Sequence, residues 1–301
     1  MNETNLFGRY RRLSDRRRRP TAVAGAPLDT LERRVLLSVS PAALPPPQQD
    51  TGFTDINVDF AAEAMASQSD GKLLLAGHRS TAGTTQAVIQ RFNIDGTADS
   101  TFGTNGSVES AAGTDDQFTD LAITSDDRIL ASGRIGGDFL IARYTPNGAP
   151  DTSFGTNGRT TTSFDDVGGG ADVAYAIAVG PNDTVVLGGG SNGAFAFARY
   201  TSAGALDPSF GTAGRERFQI GTVNDVIADI AVQSDNRIVV AGAGGAQGEL
   251  VLVTRLLPNG QPDLSFAGGN VVYPVPNLAA RTDLGFTDNT EGLAVQATTR
   301  S

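Results

Sequence analysis

Phrases of one pattern recur along this chain at nearly constant spacing, and that recurrence limits the fold more than any other feature. Phe102-Gly103, Phe154-Gly155 and Phe210-Gly211 follow one another at intervals of 52 and 56 residues, and Phe266-Ala267 comes 56 later. Each Phe ends a longer phrase. Arg143-Tyr144-Thr145-Pro146-Asn147-Gly148 leads to Asp151-Thr152-Ser153-Phe154-Gly155-Thr156-Asn157-Gly158, and the other copies track it. An Arg stands eight residues before an Asp in all four copies: Arg91/Asp99, Arg143/Asp151, Arg199/Asp207 and Arg255/Asp263. Chance does not hold that register four times.

Two further pieces recur between the phrases. One is Asp120-Leu121-Ala122-Ile123, matched by Ala176-Ile177-Ala178-Val179 and Asp229-Ile230-Ala231-Val232. The other is a turn, an apolar run and a Gly, as in Asp70-Gly71-Lys72-Leu73-Leu74-Leu75-Ala76-Gly77 and Asp235-Asn236-Arg237-Ile238-Val239-Val240-Ala241-Gly242. Each unit thus reads as four short strands. Strand a follows the Phe-Gly phrase, b is the x-Leu-Ala-Ile element, c the run ending in Gly, and d the piece containing Ala-Arg-Tyr. Asp, Asn and Gly between b and c are tight-turn residues that tolerate the left-handed region. The c runs are apolar without alternation, so both faces are expected to be buried. No convincing amphipathic helix appears.

Four antiparallel strands every 52–56 residues is the signature of β-propeller blades. The expected fold is all-β, a propeller-like array of four-stranded blades with four full repeats and an incomplete fifth. Residues 1–50 are read as a basic export and sorting segment with a Pro-rich linker, largely disordered. The repeat domain covers 51–301, in units of about 53–105, 106–157, 158–213, 214–269 and a partial 270–301.

Ala-Arg-Tyr, Asp-x-Ser-Phe-Gly and Asp-Gly-Lys followed by an apolar run and Ala-Gly together resemble the delta-60 repeat family, a bacterial β-propeller-like repeat. The resemblance spans roughly residues 53–296. It implies the propeller-like fold and a mostly exported or surface setting, and it says little about chemistry. Near the N-terminus, Leu31-Glu32-Arg33-Arg34-Val35-Leu36-Leu37-Ser38 resembles the LE-x-R-x-LLS sorting element of planctomycete-type extracellular proteins, and an Arg-rich start precedes it. That resemblance implies export to the medium or the cell surface.

Composition narrows the function classes. The chain has no Cys, which excludes a disulfide scaffold, Cys-based zinc sites and thiol catalysis. A single His, His78, excludes paired-His metal sites. Charge is divided unevenly. Residues 1–50 carry a net +4, and the remaining 251 carry a net −14. An acidic body of this kind repels phosphate, so nucleic acid is not an expected partner. No window approaches 18 consecutive apolar residues, so no transmembrane segment is expected.

Residues repeated in every unit read as scaffold. Arg143 and Asp151 are expected to pair near a d-to-a junction, with Phe154 wedged between blades and Gly155 and Gly158 making the turn. The same holds for Arg91, Asp99 and Phe102, for Arg199, Asp207 and Phe210, and for Arg255, Asp263 and Phe266. The competing reading is four equivalent ligand sites, as in some lectin propellers. Function is expected where repeats differ. The a–b loops are acidic, with Asp115 and Asp116, then Asp165 and Asp166 (followed by Asp172), then Asp225. The long c–d loop His78–Gln86 lies on the same face. That face is a candidate seat for Ca²⁺ or a cationic ligand, although no loop has the alternating spacing of a dedicated calcium loop. Solvated turns are the plainer alternative. No other cofactor and no catalytic residue is expected, and His78 reads as a surface loop residue. Asp pairs could flank a glycosidic bond, but nothing marks one pair from another. Gly188–Gly193 reads as a hairpin, since no helix follows it to make a phosphate cradle.

At the C-terminal end, Asn270–Pro274 reads as strand a and Glu291–Gln296 as strand b of a fifth unit, without c and d. An edge of unpaired backbone is then expected, open to self-association. The functional expectation is an exported or cell-surface, non-enzymatic scaffold or adhesion module with a cell-envelope, glycan or protein partner. The alternative is a secreted carbohydrate-binding or carbohydrate-active protein using the acidic loop face.

Overall fold

A computed structural model describes residues 58–274, apart from 82, 111–114, 165–170, 220–225, 245–249 and 267–269. Contacts divide the chain into Met1–Leu36 and Leu37–Ser301, and every described residue belongs to the second unit. Four antiparallel sheets of four strands follow one another. Sheet one is β1 (Ala61–Ser67), β2 (Leu73–Thr81), β3 (Thr84–Phe92) and β4 (Ser107–Glu109). Sheet two is β5 (Gln117–Ile123), β6 (Ile129–Ile135), β7 (Asp138–Tyr144) and β8 (Arg159–Thr162). Sheet three is β9 (Asp172–Val179), β10 (Val185–Ser191), β11 (Ala194–Tyr200) and β12 (Arg215–Phe218). Sheet four is β13 (Val226–Val232), β14 (Ile238–Gly244), β15 (Leu250–Leu256) and β16 (Asn270–Pro274). Among the described residues the only helix is one 3-10 turn, Pro181–Asp183. The fold is a β-propeller-type repeat.

The strands group as b, c, d and the following a, so each sheet begins one strand later than the units read from the sequence. The link after each d strand explains the phase. Asp99 N–H donates to Arg91 O at 2.9 Å, Gly106 N–H to Phe102 O at 2.9 Å, and Arg91 N–H to Gly106 O at 3.1 Å. These bonds fold the link back on its own d strand and lay the next strand beside it. Asn270–Pro274 therefore pairs with β15 as the last strand of sheet four, while Glu291–Gln296 lies outside the described residues.

Each first strand carries a bulge at the same place. Phe118 opposes Gly133 and Asp120 opposes Ser132, leaving Thr119 unpaired, and β1, β9 and β13 repeat the irregularity. The bulge brings a carbonyl over the end of the c strand. A Cβ at Gly77, Gly133 or Gly189 would lie 1.8, 1.9 or 1.9 Å from the carbonyl oxygen of Ala61, Gln117 or Val173. The Gly that ends each c run is thus required by close approach of backbone to backbone.

The second strands of sheets two and three are buried on both faces, as their unbroken apolar runs predict. Their two faces feed different clusters. Leu74, Ala76, Ile89 and Phe102 of sheet one pack against Phe118, Leu121, Ile129 and Leu140 of sheet two. Leu130, Phe139, Ile141 and Phe154 of sheet two meet Ala174, Ile177 and Leu187 of sheet three, and Val186, Phe197 and Phe210 meet Ile227, Ile230 and Val240 of sheet four. The core is therefore a series of layers between consecutive sheets.

Candidate functional site

The d-to-a link of each sheet builds the same constellation from the chain upward. Arg91 Nε donates to Asp99 Oδ2 at 2.8 Å, Arg143 to Asp151 at 2.9 Å, Arg199 to Asp207 at 2.9 Å and Arg255 to Asp263 at 2.8 Å. The other carboxylate oxygen receives the backbone N–H and the hydroxyl of the residue two places on, for instance Ser153 at 3.1 and 2.6 Å. That Asx turn aims the carboxylate at the guanidinium. Each guanidinium lies over a Phe ring, 4.7, 4.5, 4.9 and 4.8 Å from the centroids of Phe102, Phe154, Phe210 and Phe266. In sheets one, two and four a second cation joins the carboxylate: Lys72 at 3.0 Å, Arg128 at 3.0 Å and Arg237 at 3.3 Å.

The carboxylates are held in their charged form. Bonds from Thr101 outweigh burial at Asp99, with Lys72 and Arg91 adding to them, and its carboxyl lies well below the ordinary range. Burial pushes the Asp151 carboxyl up, yet Ser153 and the Arg143 guanidinium together bring it below its ordinary value. Ion pairs of this kind, dressed with extra hydrogen bonds, fix geometry more than they add stability.

The constellation does not stop at its own sheet. Arg91 Nη1 donates to Pro146 O at 2.6 Å and Arg143 Nη1 to Ser202 O at 2.5 Å, each in the d-to-a turn of the next sheet. Arg199 reaches Pro258 O in the same way. Alongside, the N–H of Gly103, Gly155 and Gly211 donates to Asn147, Ala203 and Asn259 at 3.0, 2.8 and 2.8 Å. The Phe ring fills the space beneath that turn. A Cβ on Gly148 or Gly204 would come within 2.8 Å of Phe102 or Phe154, so only Gly fits. Arg, Asp and Phe thus act as a staple from one sheet to the next.

The sequence alone did not show where the Arg reaches, nor two crossings at the bulge. Asp120 Oδ2 accepts from Ile177 N–H at 2.9 Å, and Thr119 Oγ1 donates to Ala174 O. The polar Thr-Asp pair inside the otherwise apolar b strand is the signal that could have found them.

Of the acidic loop residues, Asp115 and Asp116 are described, whereas Asp165, Asp166 and Asp225 lie outside the described residues. Asp115 pairs with Arg134 at 2.9 Å. Asp116 is fully buried. One of its oxygens accepts from Ser110 Oγ at 2.8 Å, and the other has no hydrogen-bond partner. Burial pushes its carboxyl up, against the bond from Ser110. Asp172 takes the same place in the next link and accepts from Phe164 N–H at 2.7 Å. Among the described residues, no group of three or more His, Asp or Glu side chains is placed to hold a metal ion.

Two loop readings change. His78 lies within β2, half-buried, with Nδ1 3.5 Å from Glu63 Oε1. The expected loop His78–Gln86 is mostly strand, because Thr81, Thr84 and Thr85 favour extension and carry the hairpin outward to a turn at Gly83. Gly188–Gly193 is a hairpin: three Gly lie in β10, and Asn192 and Gly193 turn with φ of 47° and 75°. No helix among the described residues is long and apolar enough to cross a membrane.

Four segments of the chain, 68–102, 124–154, 180–210 and 233–266, match a family model described as "Domain of unknown function (DUF5122) beta-propeller". Each segment runs from a b–c turn through the c and d strands to the Phe of the staple. The matches support a propeller-like repeat family. No curated protein matches the chain. Solved structures similar to it include a streptogramin B lyase at 16% identity, covering 74% of this chain and 57% of that one, with a TM-score of 0.38. A gluconolactonase from Xanthomonas campestris matches at 14% identity over 70% of this chain and 61% of that one, TM-score 0.39. A PQQ-bound aldose sugar dehydrogenase from Streptomyces coelicolor matches at 17% identity over 73% and 71%, TM-score 0.39. The chain spans about six tenths of the length of the first two.

Proposed function

We propose that this chain is a non-catalytic scaffold or binding module of the delta-60 repeat type, exported to the medium or the cell surface. The observation that carries the scaffold reading is the staple. In sheets one to three the recurring Arg gives a guanidinium N–H to the turn of the next sheet, and the recurring Phe fills the space beneath that turn. Their repetition therefore has a mechanical cause and calls for no ligand. Export rests on the Arg-rich start and on Leu31–Ser38, and the acidic domain that follows is suited to a solvated surface. On this reading the partner is a cell-envelope glycan or protein, met by the loops that differ between sheets.

Fractionation of the source cells, with an antibody against residues 58–274, tests the setting. The protein is expected in the medium or surface fraction; confinement to the cytosol overturns the export reading. A glycan array and a panel of polysaccharides test the role. Binding without turnover is the expected result, and hydrolysis abolished by changing Asp115 moves the chain to the carbohydrate-active class.

A further inference from the structure

Among the described residues the staple is complete at three junctions and half-made at a fourth. Phe102, Phe154 and Phe210 are fully buried under the next sheet's turn, whereas Phe266 is half-exposed. The Arg91 side chain is 3% exposed and those of Arg143 and Arg199 11%, against 22% for Arg255. The faces beneath differ in the same sense. Leu74, Leu130 and Val186 are buried on the trailing faces of sheets one to three, while the corresponding Val239 of sheet four, with Ala241 and Val253 beside it, is only half-buried.

A polar group marks the same face. In sheet one, Gln68 accepts from Arg91 Nη1 at 3.0 Å and donates to the Asp127 and Pro146 carbonyls of sheet two at 3.2 Å each. Gln233 holds that position in sheet four, and its Oε1, the counterpart of the oxygen by which Gln68 takes the Arg of its own sheet, has no hydrogen-bond partner among the described residues. Donors, a ring and an apolar patch are thus set out for a sheet of this same repeat.

The complementary part is present at the other end. Asn93–Gly96 is the d-to-a turn of sheet one, and its Gly96 has a φ of 81°, beside 85°, 81° and 88° at Gly148, Gly204 and Gly260. Those three are buried under a Phe of the preceding sheet, whereas Gly96 is half-exposed. Ile94, whose counterparts Pro146, Ser202 and Pro258 offer their carbonyls to Arg, is 77% exposed. Leu73, Leu75, Val88 and Phe92 back the turn, with Val58 and Phe60 packed against them.

We propose that the trailing face of sheet four is an interface for a second copy of this chain, entered by the Asn93–Gly96 turn of that copy's first sheet. In the contact, Arg255 takes the Ile94 carbonyl and Phe266 lies beneath Gly96, as Arg199 and Phe210 do with Pro258 and Gly260. The contact is head-to-tail, so each copy uses a different surface from its neighbour. It does not depend on the proposed function.

Sedimentation velocity of the full chain over a range of concentrations tests it. Association that grows with concentration is expected. Ile94→Arg sets a second cation against Arg255 on a side chain exposed enough to leave the fold intact, and it should weaken association by about tenfold or more. Phe266→Ala, checked for folding by circular dichroism, should do likewise. Because the two changes damage opposite surfaces, mixing the variants should restore a one-to-one complex through the undamaged pair. A protein that stays monomeric at every concentration overturns the proposal, as does association that neither change weakens, or variants that fail to complement.

Discussion

Arg143 illustrates how much one side chain carries here. It pairs with Asp151, lies over Phe154 and grips the Ser202 carbonyl of the next sheet. Arg143→Ala leaves a mostly buried carboxylate without its guanidinium, and the expected cost is about 3 kcal/mol in urea unfolding. Unchanged stability would show that the staple is not structural. Asp116 works in the other sense. Burial raises its carboxyl above the ordinary 3.8, so between that value and the raised one the folded protein keeps a proton that the unfolded chain releases. Stability therefore falls as pH rises through that window. Asp116→Asn fixes the neutral form and should be more stable than the parent at pH 7. The advantage should fade as pH drops below 3.8, and equal melting curves at pH 7 contradict the reading. The pairing of Arg with Asp was legible from their constant spacing. The burial of Asp116 was not, since an Asp at a strand entry has the same spelling whether it faces water or a neighbouring sheet.

Among the elements, the c strands were the most legible, because an unbroken apolar run ending in Gly admits few other forms. Their neighbours were less so. The a strands, Ser107–Glu109, Arg159–Thr162 and Arg215–Phe218, are short and polar, and hydrophobic pattern does not say which side of an edge strand is paired. The link's backbone bonds decide the matter, and these leave no trace in residue type. The bulge does leave one, the invariant Gly opposite it. Gly133→Ala would drive a methyl group into the Gln117 carbonyl. The expected loss of about 3 kcal/mol lowers Tm by roughly 10 °C in calorimetry, and a Tm unchanged within error would mean that the bulge relaxes freely.

At the scale of the whole domain, the layers between sheets make stability a matter of neighbours. Phe154 is a fully buried anchor between sheets two and three, in one cluster with Leu130, Ile177 and Leu187. Phe154→Ala should cost about 4 kcal/mol. It should also separate the unfolding of the sheets on either side, seen as two hydrogen-exchange classes that meet at residue 154; a single uniform loss of protection contradicts that coupling. The repeat count and the all-β class were open to the sequence, while the reach of each staple into the following sheet needed coordinates.

That reach ends on main-chain oxygen. The residues that receive the Arg are Pro146, Ser202 and Pro258; Ser replaces the proline ring at one of the three, and the grip asks of its recipient only a turn of the right shape. A repeat gained, lost or exchanged in the gene for such a chain keeps this main-chain grip, because every new arrival already carries the handle by which its predecessor holds it.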